Sequence, residues 1–243
     1  MIRQESHDGI VVLTLDRPPV NALSAEEYTG IVDAMSDLAD DDGVSAVVIT
    51  GAGDRIFCAG QDTREIEAFN PAASTARKRL LVASMSEVLA FPKPTVAALN
   101  GHAVGAGVML ASVCDTAVAV PDTTLRLTEI DVGVVGGARH ALRVLPAPVV
   151  RHMALTGAPL SSQRAYELGA LATLVPAAKL LVEALALARV LATKEPQAYR
   201  TWKQTLLSTE TLGLHDGWAL ERRSSLQLES VWADQRAGRK GSS

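Results

Sequence analysis

The stretch NGHAVGAGVMLASVCD, Asn100 to Asp115, passes three glycines before an apolar segment with no charged side chain until Asp115. A glycine-rich turn opening a helix brings backbone N–H groups up to a ligand, because the first N–H groups of a helix have no partner inside it. A second stretch has the same form. VVITGAGDRIFCAGQD and VAALNGHAVGAGVML each run from a valine-rich strand to a glycine, through a loop to Ala-Gly or Gly-Ala-Gly, then towards a helix. Two peptide N–H groups aimed at one point make an oxyanion hole, strengthened by the positive end of a helix starting near Gly107. Such a site suits a thioester carbonyl turning into an enolate. The same glycines would also be found if they made tight turns and nothing more.

Glu129, in LRLTEIDVG, stands at the end of a strand and before a glycine-containing loop. A carboxylate entering an apolar pocket has its charged form disfavoured, so its pKa rises towards values useful for moving protons. A glutamate there also serves as a cap or an ion-pair partner. Several other chemistries lack their residues. Neither glycine loop is followed by Lys-Ser or Lys-Thr or completes a G-x-G-x-x-G, and there is no G-x-S-x-G elbow. The five histidines show no metal spacing, and Cys58 and Cys114 stand far apart, so neither a metal site nor a disulfide framework is expected. Cys58 reads as a small buried hydrophobe more readily than as a nucleophile.

The elements that must position these groups alternate. GIVVLTLDRP is a strand running into a proline-braked loop, and SAEEYTGIVDAMSDL opens a helix with the capping pattern Ser24-x-x-Glu27. Tyr28, Ile31, Val32, Met35 and Leu38 give that helix one apolar stripe. SAVVITG and PTVAALNG are buried strands, DTAVAV and TLRL further strands, and a helix with Leu81, Met85, Val88 and Leu89 on one face lies between. TEIDVGVVGGARH reads as a loop, VVRHMALTG and SSQRAYELG as short helices, and the last third as almost wholly helical before a loose tail, RAGRKGSS.

Composition fits this picture. Hydrophobic residues make up 48% of the 243 and aromatics only 4%, as in a valine-rich sheet covered by alanine-rich helices. A net charge of −4 argues against nucleic acid as a partner, so an anionic ligand must find a local cation cluster. MIRQESHDGI lacks an apolar signal core, and the most apolar helix, 177–193, is interrupted by Lys179, Glu183 and Arg189. No membrane span is expected, and a reducing cytoplasm suits the chain.

FCAGQD, PTVAALNGHAVGAGVMLASVCD and LRLTEIDVGVV together resemble the crotonase superfamily, the enoyl-CoA hydratase/isomerase family, over about Ile10 to Lys203, with DRPPVNALS near the start. The resemblance implies an α/β fold, a crotonase-type spiral of ββα units. Residues 1–190 would form the acyl-CoA-binding core, and 191–243 a C-terminal helical region for subunit packing. By position, the N–H groups of Gln61 and Ala106 would hold the thioester oxygen. Asp62, Thr63 and Arg64 would run along the CoA, Ala59 would line the substrate site, and Ala22 would lie near the adenine end. Glu129 matches the second of two glutamates used by hydratases of the family. The position of the first, three residues after Ala106, is Met109, which would face the acyl chain.

A thioether cannot serve as a base, so this departure matters for the reaction. The resemblance then favours double-bond isomerisation or a ring-opening hydrolysis over simple hydration, with Glu129 as main acid/base. Asp131, placed on the side of Glu129 by strand alternation, or His140 could substitute for the missing glutamate and permit ordinary hydration. A catalytically weak acyl-CoA-binding protein is the remaining alternative. No separate cofactor is implied, since coenzyme A is part of the substrate. The implied assembly is a homotrimer or a dimer of trimers, although the chain ends early by family standards.

Overall fold

The computed structural model describes residues 1–67 and 71–240. At the start, β1 (Ile2–His7) is a polar edge strand, antiparallel to β2 (Ile10–Leu15), which is buried along its whole length. The sequence pattern does not reveal β1. Its four central side chains, Arg3 to Ser6, face water, so it carries no apolar alternation to read. Helix α1 (Ala25–Asp40) starts where Ser24 and Glu27 predict it, with the Ser24 N–H donating to the Glu27 carboxylate at 3.2 Å. It buries Tyr28, Ile31, Ala34, Met35 and Leu38.

Three strand pairs then repeat one plan. They are β3 (Ala46–Gly51) with β4 (Ile56–Cys58), β5 (Thr95–Leu99) with β6 (His102–Val104), and β7 (Thr116–Ala119) with β8 (Thr124–Arg126). The first strand of each pair joins a six-stranded sheet ordered β1-β2-β3-β5-β7-β10, closed by β10 (Thr173–Leu174), and the second joins a four-stranded sheet ordered β4-β6-β8-β9, closed by β9 (Leu160–Ser161). Both sheets are parallel except at β1 and β9. Between the pairs lie α2 (Thr63–Glu67), α3 (Pro71–Ala90) and α4 (Ala106–Val113). This repeat of strand, strand and helix is the ββα spiral expected. Gly51 and Gly101 allow the tight crossings between sheets: a Cβ at Gly101 would fall 2.0 Å from the Arg55 carbonyl, and one at Gly51 would fall 2.4 Å from the Phe57 oxygen.

Beyond β8 the chain makes a 3-10 turn (Glu129–Val132), α5 (Ala138–Ala141), α6 (Ala147–Thr156), β9 (Leu160–Ser161), α7 (Ser162–Glu167), β10 (Thr173–Leu174) and α8 (Leu180–Ala192). Met1–Leu191 form one compact unit and the chain from Ala192 a second, built on α9 (Pro196–Thr209) and α10 (Leu214–Lys240). In the second unit α9 packs on α10, with Thr205 donating to the Ser224 hydroxyl at 2.9 Å. The tail departs from expectation. Helix α10 continues through RAGRK, whose Arg, Ala and Lys are good helix formers, to Lys240. The remainder of the expected loose tail, 241–243, lies outside the described residues. Among the described residues no helix is long and apolar enough to cross a membrane, and no group of three or more His, Cys, Asp or Glu is gathered to hold a metal.

Candidate active site

Two segments far apart in sequence form a short parallel ladder beside the sheets. Ala59 donates to Val20 O at 3.1 Å, Leu23 to Gly60 O at 2.7 Å and Asp62 to Leu23 O at 3.0 Å. In a parallel ladder successive N–H groups point to opposite sides. The ladder uses the N–H of Asp62 and leaves that of Gln61 facing away from Leu23. What lies close on the remaining side follows from Gly60, at φ +89: a Cβ there would fall 2.8 Å from Val104 O and 3.4 Å from Ala106 N. The backbone of the first glycine loop thus rests on that of the second.

The second loop turns at Gly105, φ +52, anchored by its N–H to Arg126 O at 2.8 Å. Ala106 is the first residue of α4, whose first ladder bond runs from Met109 N–H to Gly105 O at 3.1 Å. The Ala106 N–H is therefore one of the helix's unpartnered first-turn donors. Gly107 lets α4 sit on β4, since a Cβ there would fall 2.4 Å from Cys58 O. Burial pushes the Cys58 thiol up to about 12, and its sulfur accepts the Gly60 N–H at 3.4 Å. Such a thiol is packing, not a nucleophile.

Glu129 opens the 3-10 turn and sends its carboxyl back over Gly105. Cβ atoms built at Gly105 and Gly137 would fall 3.1 Å and 3.0 Å from Glu129 Oε1, so two positive-φ glycines make room for that oxygen. Oε2 is buried and has no hydrogen-bond partner. Burial raises the carboxyl's pKa above the usual carboxylate range. Around it Ala59, Gly60, Gln61, Thr63, Val104, Gly105, Ala106, Thr128, Val132 and Val134 complete a cleft in which, among the described residues, Glu129 is the only titratable side chain.

The expected site residues divide accordingly. Gln61, Ala106, Glu129, Ala59 and Thr63 line one cleft. Asp62 is turned away, its carboxylate 6% exposed and held by Arg17 and Arg64 at 2.7 and 2.8 Å. Arg64 is 76% exposed and grips Asp62, and Ala22 offers its carbonyl to Arg17. Met109 stands one turn beyond Ala106 on α4, a helix buried on all eight residues; it packs in the apolar core and is not among the residues lining this cleft.

Asp131 departs from its expected side. Glu129 and Asp131 lie in a 3-10 turn with three residues per revolution, so they do not share a side as they would in a strand. Asp131 is exposed and set against Gly157, where a Cβ would fall 2.9 Å from its Oδ2. His140 is half-buried on α5, outside the cleft lining, with Nδ1 unpartnered; burial first, then Arg143 and Arg139, lower its pKa. Gly137, Thr128, Val132 and Val134 were missed from the sequence. The double glycine at 136–137 was the available signal for the first of them.

Comparison with known proteins agrees with this architecture. Residues 5–239 match the family described as enoyl-CoA hydratase/isomerase. The chain is 34% identical over 225 residues to a putative enoyl-CoA hydratase of Thermus thermophilus, covering 90% of this chain and 88% of that protein. It is 31% identical over 223 residues to carnitinyl-CoA dehydratase of Proteus mirabilis, covering 90% and 85%. Among solved structures, DspI of Pseudomonas aeruginosa superposes with a TM-score of 0.89 at 25% identity, over 95% of this chain and 96% of that one. With its paired strands, facing glycine loops and buried glutamate, the chain belongs to the enoyl-CoA hydratase/isomerase family, and its fold is the crotonase fold.

Proposed function

We propose that this enzyme moves a proton next to the carbonyl of an acyl-CoA thioester, and that double-bond isomerisation is the resulting reaction. The N–H groups of Gln61 and Ala106 hold the thioester oxygen, and Glu129 carries the proton. The observation that carries this reading is Glu129, with its unpartnered Oε2, in a cleft where the described residues supply no second acid or base. In its charged form Glu129 takes a proton from the α carbon of a 3-enoyl thioester. The electron pair shifts onto the carbonyl oxygen, where two N–H groups and the N-terminus of α4 favour negative charge. Glu129 then returns the proton at the γ carbon, leaving a 2-enoyl thioester of unchanged mass. One group suffices because the same carboxyl is base and then acid.

The names of the relatives favour a second reading, reversible addition of water, and a ring-opening hydrolysis uses the same oxygen-holding site. Substrate and mass together distinguish all three. Incubated with 3-hexenoyl-CoA, the enzyme is expected to give a conjugated product of equal mass, and a gain of 18 Da there marks hydration. Ring-opening hydrolysis keeps the CoA thioester and adds 18 Da only to a cyclic β-keto acyl-CoA. In D2O, butyryl-CoA should take up deuterium at its α carbon, and Glu129→Gln should slow that uptake by roughly 10²- to 10⁴-fold with little change in binding. Full activity in Glu129→Gln would overturn the assignment. A protein that shifts in melting temperature with acyl-CoA yet changes none of these thioesters would be a binder alone. We further propose that the working assembly is a trimer or a dimer of trimers, on the strength of family membership.

A further inference from the structure

Arg17 lies outside the cleft, yet its guanidinium reaches three separate segments. Nε stands 3.2 Å from Glu27 Oε2 on α1, Nη1 donates to Ala22 O at 3.2 Å, and Nη2 donates to Asp62 Oδ2 at 2.7 Å. The arginine is 26% exposed, whereas the carboxylates of Glu27 and Asp62 are 2% and 6% exposed. Both acceptor segments of the ladder are thereby held by one rigid group: Ala22 sits on its first strand and Asp62 on its second, immediately after Gln61. The Asp62 N–H is already fixed to Leu23 O. The peptide that carries the Gln61 N–H is therefore pinned by backbone on one side and by a carboxylate on the next residue.

Arg64 binds the same carboxylate through Nε and Nη2, and its hydrogen bonds, ahead of those from Arg17, outweigh burial and hold Asp62 well below the usual carboxylate range. It comes from two residues away, so it fixes the rotamer of Asp62 without tying the loop to anything else. Arg17 supplies the long-range tie. Its own backbone is fixed by Asn21, at φ +51, which takes the Arg17 N–H on Oδ1 at 3.2 Å and donates its amide to Ala52 O and Ile56 O at 3.0 and 2.8 Å.

We propose that Arg17 is a positioning residue that aims the Gln61 N–H at the thioester oxygen by clamping Ala22 and Asp62, the two sides of the ladder. The proposal rests on the reading of the cleft as a thioester-holding site. A planar guanidinium with five donors can satisfy three acceptors in fixed directions, whereas a lysine ammonium is a single point on a flexible stem. A displacement of about 1 Å in a group that orients the reacting atoms is enough to cost roughly 10²-fold in rate.

The test compares Arg17→Met, Arg17→Lys and, as a surface control, Arg3→Met in the full chain. Deuterium uptake into butyryl-CoA gives kcat and KM. Dissociation constants are measured for butyryl-CoA and for S-butyl-CoA, a thioether with the same CoA and chain but no carbonyl oxygen. Arg17→Met is expected to lower kcat about 10- to 100-fold with KM within about threefold. It should also erase most of the preference for thioester over thioether. Arg17→Lys should fall between, and Arg3→Met should match the parent.

A folded Arg17→Met protein that keeps its kcat and its preference overturns the proposal. So does equal weakening of thioester and thioether, which is a general structural loss. Should Arg17→Met fail to fold, Arg17→Lys and Asp62→Asn carry the same comparison. If the parent protein itself shows no preference for the thioester, the thioester-holding reading fails, and this proposal with it.

Discussion

The two oxygens of Glu129 have different surroundings, and the difference fixes how the residue should respond to pH. Oε1 packs against Gly105 and Gly137, and Oε2 is buried with no donor. Burial outweighs the hydrogen bond from the residue's own backbone N–H, so the pKa is raised. As a base, Glu129 must be ionised, so kcat/KM should rise with pH through an acid limb lying above the ordinary glutamate value of about 4.3. Stability moves the opposite way. The folded protein holds this proton more tightly than the unfolded chain, so the contribution is fully present below the unfolded pKa and is lost as pH rises through the folded one. Glu129→Gln should therefore be more resistant to urea than the parent at pH 7, and the gap should shrink as pH falls towards 5. A constant gap, or an acid limb at the ordinary value, would show that the carboxyl is not desolvated.

At the scale of elements, the catalytic arrangement depends on where α4 begins. Ala106 occupies the first helical position, where proline is well tolerated because its missing N–H had no partner in the helix. Ala106→Pro thus removes the proposed donor while sparing the helix. Turnover should fall roughly 10²- to 10³-fold, and Ala106→Ser should stay close to the parent. Equal activity in both folded variants would reduce the turn to a structural role. The glycines of this turn were legible because chain crossings leave them as the residues that fit: Gly60, Gly105 and Gly107 stand where a side chain would strike backbone or the Glu129 carboxyl. The long strands of the first sheet were legible for a related reason, since buried parallel strands read as continuous apolar runs, whereas the three-residue β4 and β6 fall inside stretches that read as loops. What failed to show was local. The polar edge strand β1 buries only its two ends, in part, and the strand alternation that relates Asp131 to Glu129 does not extend past β8, where the chain winds into a 3-10 turn. Arg17 stood within DRPPVNALS, but its three acceptors come from segments that only the folded chain brings together.

For the whole molecule, the cleft and the exposed tryptophans fall in different units. Every residue lining the cleft belongs to Met1–Leu191, whereas all three tryptophans, Trp202, Trp218 and Trp232, belong to the unit that follows. Trp202 and Trp218 are 57% and 67% exposed in the single chain, and Leu206, Leu214 and Leu226 are exposed in the same unit. Large apolar side chains left in water mark surface that association can cover. Burying aromatic side chains contributes more to an interface than burying most others. If the proposed trimer forms through this unit, tryptophan emission should be blue-shifted at micromolar concentration and move to the red on dilution, while sedimentation gives a mass above that of one chain. Trp218→Glu places a charge on that surface, so it should lower the mass and redden the emission without altering the fold of the first unit, as followed by circular dichroism. A single-chain mass with red-shifted emission at high concentration would overturn self-association through α9 and α10. A trimeric mass that Trp218→Glu leaves intact would move the interface to the first unit.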